Sequence, residues 1–213
     1  MVSCGYRRFV KKFNLFVRNR LVGRLYRVNV QNKKGVKIVQ VPFFTDAACD
    51  TALCRIAEGD HDALTVIYKK LGRQIYMLAY SILQDTYSAE DVMQETFVRL
   101  LTCAQHYQPK SNAKAYVLRI TRNLALNALQ KRQREVLRDS PIDENTADES
   151  ETQSLAALEA LKLLSEEERQ IVVLKLDGGQ THRQIASLLG ISTAACEKKY
   201  RRALEKLKQY YRN

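Results

Sequence analysis

From Ala52 to Leu83 apolar residues return at the spacing of a helix face, and Gly59-Asp60 divides them into two stripes. Leu53, Ile56 and Ala57 form a short stripe before the break. Ala63, Leu64, Ile67, Tyr68, Leu71, Ile75, Leu78, Ala79 and Ile82 form a longer one after it. Returns of three and four residues put side chains on one side of a helix, whereas a strand alternates faces at every residue. With 8 Gly and 3 Pro among 213 residues, the turn formers of a loop-rich barrel or sandwich are scarce. The chain is therefore expected to be all-α. The same scarcity argues against a pocket enzyme built on glycine-rich loops. A length prior of about 150 residues per domain allows one medium unit or two small ones.

Further along, Gln84-Asp85-Thr86 reads as a turn. Ser88, with Asp91 three residues on, resembles a capping box that opens a helix reaching Leu100 or Leu101. Gln108-Pro109-Lys110-Ser111-Asn112 reads as a loop, and Tyr116, Val117, Ile120, Leu124, Leu126 and Leu129 mark a helix from about Ala113 to Arg134. Residues 139–151 are acidic, contain Pro141 and are short in large apolar residues, the composition of a flexible linker. Beyond them Leu155, Leu158, Leu161 and Leu164 give one helix, and Ser165, capping toward Glu168, opens the next with Ile171, Val172 and Leu174.

After the turn Asp177-Gly178-Gly179, a short helix from Thr181 to Leu189, the turn Gly190-Ile191-Ser192 and a basic helix from Thr193 to Gln209 follow. Ala186 stands at the close helix contact, Gly190 supplies a left-handed residue, Ile191 plugs the helix pair and Ser192 caps the second helix. This is the construction of a helix-turn-helix. Cys196, Tyr200, Ala203 and Leu207 should face the core, leaving Glu197, Lys198, Lys199, Arg201 and Arg202 outside. Lys and Arg there can meet phosphates and base edges in a major groove. The plainer alternative is a solvated basic face.

The formal net charge of +12 points to an anionic partner, nucleic acid ahead of membrane. Its distribution is uneven: residues 1–45 carry +11 without a single acid, and the blocks 46–108, 109–138, 139–168 and 169–213 carry −4, +7, −9 and +7. Within residues 1–45, the alternating stretches Leu25–Val30 and Val36–Val41 around Gln31-Asn32-Lys33-Lys34-Gly35 are expected to form a β-hairpin. It would be an extra nucleic-acid or membrane-surface arm. The five cysteines are odd in number and lack Cys-x-x-Cys spacing, and only three histidines are present. That pattern fits reduced thiols in a cytoplasmic protein rather than a metal or disulfide framework. No run approaches the roughly 18 apolar residues of a membrane span, so stable membrane insertion is not expected. No cofactor is implied.

In order along the chain, Leu53-Cys54-Arg55-Ile56-Ala57-Glu58-Gly59-Asp60, Ser88-Ala89-Glu90-Asp91-Val92-Met93-Gln94-Glu95-Thr96-Phe97-Val98-Arg99-Leu100, Ala115 to Ala125, Leu164-Ser165-x-Glu167-Glu168-Arg169-Gln170-Ile171 and the helix-turn-helix resemble an extracytoplasmic-function (ECF) sigma factor. This is a compact branch of the bacterial RNA polymerase sigma superfamily. The likeness covers roughly residues 50–211. It implies a region 2-like helical domain over 46–138, an acidic linker over 139–153 and a region 4-like domain over 154–213, and leaves the basic extension over 1–45 uncovered. Chains of this family begin near the position of Asp46. The extension is thus either an added arm or upstream sequence read from a mispredicted start.

The resemblance implies core polymerase and promoter DNA as partners, the DNA double-stranded at the −35 element and partly single-stranded at −10. It also admits an anti-sigma protein. Asp91, Gln94, Glu95 and Arg99 would be the polar contacts to polymerase, with Phe97 in the core. The −10 strand would meet Lys110, Asn112, Lys114, Tyr116, Arg119, Arg122, Asn123, Asn127 and Arg132. Here Tyr offers a stacking face, Lys and Arg suit phosphate and Asn suits base edges. For Tyr116 the other reading is core packing. The −35 element would meet Thr181, Arg183, Gln184, Thr193, Glu197, Lys198, Lys199, Arg201 and Arg202. The chain departs from the family pattern at Tyr116 (usually Trp), Asn127 (usually Asp), Gln184 (usually Glu) and Glu197 (usually Lys), which bears on the promoter sequence more than on the class of function. Two rivals remain: a two-domain DNA-binding regulator without sigma activity, and an enzyme such as a recombinase. Asp91 and Glu95, one turn apart, are the pair an enzyme would use, but no histidine, nucleotide loop or third carboxylate converges on them.

Overall fold

The computed structural model describes residues 47–136 and 159–210. The expected hairpin within 1–45, the linker 139–153, and Leu155 and Leu158 lie outside the described residues. Among the described residues the order is α1 (Ala47–Ala57), α2 (Leu64–Leu83), α3 (Thr86–Cys103), α4 (Ala113–Val136), α5 (Glu166–Leu176), α6 (His182–Leu189) and α7 (Thr193–Tyr210), with no strand. Residues 159–162 are also helical.

α2 is the spine. Leu64, Ile67, Leu71, Ile75, Leu78 and Ile82, predicted for one stripe, are all buried. Each such side chain taken from water contributes about 1.5–3 kcal/mol before entropy is charged against it. α3 and α4 pack on α2 and on each other, while α1 closes one end. Phe97 of α3 is sealed in the core, its ring centroid 5.7 Å from that of Tyr68. The buried hydroxyls of Ser81, Thr96 and Thr121 donate to the backbone carbonyls of Leu78, Val92 and Val117, so none is left unsatisfied by burial.

The helix ends follow local chemistry, with one correction. α3 begins at Thr86 and is capped by Asp85, whose carboxylate accepts the Ser88 N–H at 2.7 Å. Ser88 is thus a donor inside the first turn rather than the cap. The reason lies in the connection: Gln84 takes a left-handed φ of 55° as the C-cap of α2, so Asp85 is already extended and placed to cap the next helix. The caps predicted at Ser165 and Ser192 form. Asp60 Oδ1 accepts from Asp62 N–H at 3.1 Å and opens the short 3-10 turn that leads into α2. Ser165 and Glu168 make both bonds of a capping box. Arg55 binds the Asp60 carboxylate at 2.5 Å and 2.8 Å. These hydrogen bonds hold the Asp60 carboxyl below the usual carboxylate range.

α5 packs against α2 on one side and against α6 and α7 on the other, so the two helical units are in contact. Arg73 of α2 pairs with Asp177, and Arg169 Nε donates to the Ser81 carbonyl at 2.9 Å. The buried residues of both units belong to one continuous apolar cluster.

Candidate nucleic-acid interface

Along α3, Asp91, Glu95 and Arg99 are exposed at four-residue spacing, with Gln94 half-buried beside them. Val92, Met93, Phe97 and Leu100 fill the opposite, buried face. Arg99 Nε stands 4.0 Å from Glu95 Oε1, a loose surface pair of little energetic weight. Tyr87, 73 % exposed and four residues before Asp91, extends this ridge by one turn. It is absent from the expected contacts, although its four-residue offset from Asp91 is visible in the sequence.

The nine residues expected at the −10 element fall into three groups. Arg119, Asn123 and Asn127 recur every fourth residue and form an exposed stripe along α4, with Arg132 exposed beyond it and Lys110 exposed in the loop before it. Asn112 and Tyr116 are engaged internally. Asn112 Oδ1 accepts the Ala115 N–H at 2.8 Å at the start of α4. The Tyr116 hydroxyl donates to the Cys103 carbonyl at 2.6 Å, and its ring lies 5.2 Å from that of Tyr107. Burial, with a smaller repulsion from Cys103, raises the Tyr116 hydroxyl pKa, so it stays a neutral donor.

Lys114 and Arg122 form the third group and reach the second unit. Lys114 Nζ donates to the Gly178 carbonyl, and Arg122 Nε donates to Gln170 Oε1 at 3.2 Å. No local sequence signal announces these contacts, which join residues 64 and 48 positions apart.

In the second unit the helix-turn-helix takes the expected form. Thr181 caps α6 in a capping box completed by Gln184, whose Oε1 accepts the Thr181 N–H at 2.9 Å. Gln serves this position as well as the family's Glu would, since the box needs only an acceptor there. Gly190 has φ of 72°, where a Cβ is disfavoured, and the Ile191 N–H returns to the Ala186 carbonyl at 3.0 Å. Ser192 Oγ accepts the Ala195 N–H at 3.2 Å.

On α7, Cys196 and Ala203 are buried, and Tyr200 and Leu207 pack partly against the core. Burial pushes the Cys196 thiol up, leaving it an inert core group. Thr181, Arg183, Gln184, Thr193, Glu197, Lys198, Arg201 and Arg202 are exposed. Lys199 is half-buried and pairs with Glu167 of α5. Glu197 Oε1 lies 3.7 Å from His182 Nδ1. Among the described residues no three His, Cys, Asp or Glu side chains gather as metal ligands, and no helix is long and apolar enough to cross a membrane.

Comparison with known proteins agrees with this geometry. Residues 67–135 match Sigma-70 region 2 and residues 154–207 match Sigma-70 region 4. The probable RNA polymerase sigma factor RfaY of Xanthomonas campestris pv. campestris is 32 % identical over 171 residues, covering 74 % of this chain and 42 % of RfaY. The ECF RNA polymerase sigma factor SigE of Mycolicibacterium smegmatis is 30 % identical over 168 residues, covering 72 % of this chain and 65 % of SigE. The chain thus spans less than two thirds of either relative. In fold it resembles the sigma factor RpoE in its complex with the anti-sigma factor NepR from Bartonella quintana. The TM-score is 0.57 at 21 % identity, over 68 % of this chain and 96 % of that one. With both sigma regions matched in order across more than half its length, the chain belongs to the extracytoplasmic-function sigma factors of the sigma-70 family.

Proposed function

We propose that the chain is a promoter-specificity subunit of bacterial RNA polymerase. It docks on core polymerase through α3, reads the −10 element through the loop before α4 and α4 itself, and reads the −35 element through α6 and α7. The observation that carries this reading is the segregation of charge by face. Asp91 and Glu95 mark an acidic ridge, Arg119 leads the exposed stripe on α4, and Lys198, Arg201 and Arg202 are exposed on α7. An acid-bearing ridge suits a basic protein surface and is repelled by DNA. Arg neutralises phosphate and Asn123 and Asn127 suit base edges. In this reading residues 46–138 and 154–213 are the working units and 139–153 the tether. The subunit catalyses no reaction, takes no cofactor and acts in the cytoplasm. An anti-sigma protein, such as the one bound to RpoE, is a further partner. Joining two modest DNA contacts on one polymerase scaffold raises their effective concentration, so promoter binding depends on the core enzyme.

The test is transcription by purified core polymerase on a promoter library, with and without the chain. Start sites that depend on the chain are expected. They should vanish when Asp91→Lys and Glu95→Lys are combined, while binding of the chain to a −35 duplex persists. Absence of core binding and of start sites overturns the reading. Tight promoter binding by the chain alone would instead favour the regulator.

A further inference from the structure

The loop before α4 is held from a distance by an α1 residue that the expected contacts do not include. Asp50 Oδ1 accepts the Tyr107 hydroxyl at 2.6 Å and the Lys110 backbone N–H at 2.7 Å. In the same loop the Ser111 N–H closes on the Gln108 carbonyl at 3.2 Å, with Pro109 and Lys110 at the centre of the turn. Lys110 has φ of 64°. Pro followed by a residue of positive φ is the pattern of a type II turn, whose third position ordinarily goes to Gly or Asn because a Cβ is disfavoured there. Lysine holds that conformation here with its N–H bound to a carboxylate 60 positions earlier in the chain.

The Tyr107 ring, set by the same carboxylate, packs on Tyr116, whose hydroxyl is fixed to Cys103. Asn112 then caps α4. One carboxylate oxygen therefore ties α1 to both ends of the segment that delivers Lys110 to the surface at the entrance to the Arg119–Asn123–Asn127 stripe. Asp50 itself precedes the matched region 2 segment, which begins at residue 67.

We infer that Asp50 is a positioning residue for −10 recognition: it fixes the 107–112 loop, and so the approach of the DNA strand to α4, without touching DNA. The inference rests on the sigma reading above. A positioning role differs from a purely stabilising one in what it moves. Loss of the brace should blur discrimination among −10 sequences while leaving core binding and −35 binding alone. Asp50→Asn keeps an acceptor oxygen at the same place and should retain most of the discrimination. Asp50→Ala loses both bonds to the carboxylate, whereas Tyr107→Phe keeps the ring but loses one of them together with the hydroxyl's weaker contact to the Ser111 carbonyl at 3.2 Å.

The experiment measures, for the full chain with core polymerase, open-complex rates on promoters that differ only in the −10 element, alongside core affinity and melting temperature. For Asp50→Ala the ratio between preferred and non-preferred −10 elements should fall by about tenfold, the scale of one charge-assisted hydrogen bond. Tyr107→Phe should fall between it and the parent, and Asp50→Asn should restore most of the ratio. Parent-like discrimination in Asp50→Ala overturns the inference, as does equal loss of core binding and discrimination at full folding. Should Asp50→Ala fail to fold, Tyr107→Phe decides by the same ratio, an unchanged value counting against the brace. A parent chain that starts no transcripts strikes the sigma reading itself, an outcome distinct from an active parent with an indifferent Asp50 variant.

Discussion

Glu168 is a carboxylate kept charged inside the protein. It is 6 % exposed, and its Oε2 accepts the Ser165 N–H at 3.0 Å and the Lys206 ammonium at 2.7 Å. Burial alone pushes its pKa up, but the Lys206 and Ser165 donors outweigh burial and leave it below the usual carboxylate range. Because the folded value lies below the unfolded one of about 4.3, the stabilisation is full above that pH. It is lost as pH falls through the lower folded value. Glu168→Gln should lower stability near neutral pH by about 1–2 kcal/mol, a range discounted because the Lys206 side chain is half exposed. It should also flatten the fall in Tm below about pH 4.3. Thermal melts of both proteins across pH 3 to 7 check this, and parallel curves would contradict it. At this scale the sequence is half readable. Ser165 and Glu168 announce a capping box because they lie three residues apart, whereas Lys206, 38 positions away, carries no signal that it completes the site.

Helices were the most legible level, since each depends on its own periodicity and ends. α2, α4, α6 and α7 begin and end within a few residues of expectation, and the helix-turn-helix is complete in every predicted part. The misplaced start of α3 arose because Asp85 and Ser88 are both competent caps. The left-handed Gln84 decides between them, and nothing local identifies it. On α7 the outward face follows from the buried positions, but the pairing of Lys199 with Glu167 is tertiary and leaves Lys198, Arg201 and Arg202 as the exposed cations of the helix centre. Arg201→Ala with Arg202→Ala should therefore reduce the slope of log K against log salt for −35 duplex binding by up to about 2, one unit per released counterion. Fluorescence anisotropy between 50 and 300 mM salt measures it, and an unchanged slope would place neither residue on phosphate.

For the whole molecule, the arrangement of the two units was not legible at all. In the sequence they read as separate units, because the contacts that join them lie far apart along the chain. Arg73 with Asp177, Lys114 with the Gly178 carbonyl, Arg122 with Gln170 and Arg169 with the Ser81 carbonyl together dock the second unit on α2 and α4. In the proposed function this has a cost, since Lys114 and Arg122 cannot serve the −10 strand while they hold the second unit. Asp177→Arg, which sets two cations against each other, should shift the chain toward a parted form and raise its radius of gyration in small-angle scattering. The variant should also form open complexes faster. Scattering identical to the parent would mean that this ion pair does not govern the docking.

α5 adds a consequence of its own. Ile171, Val172, Val173 and Leu174 are consecutive and all buried, and at about 100° per residue they point around the whole helix. That stretch of α5 has no side turned to water, and parting the units strips cover from its side turned to α2. The parted form must hydrate apolar surface and so has the higher heat capacity. Apolar burial also holds less strongly as water cools. A balance between docked and parted forms, as predicted for Asp177→Arg, should therefore depend on temperature, with cold loosening the apolar part of the grip.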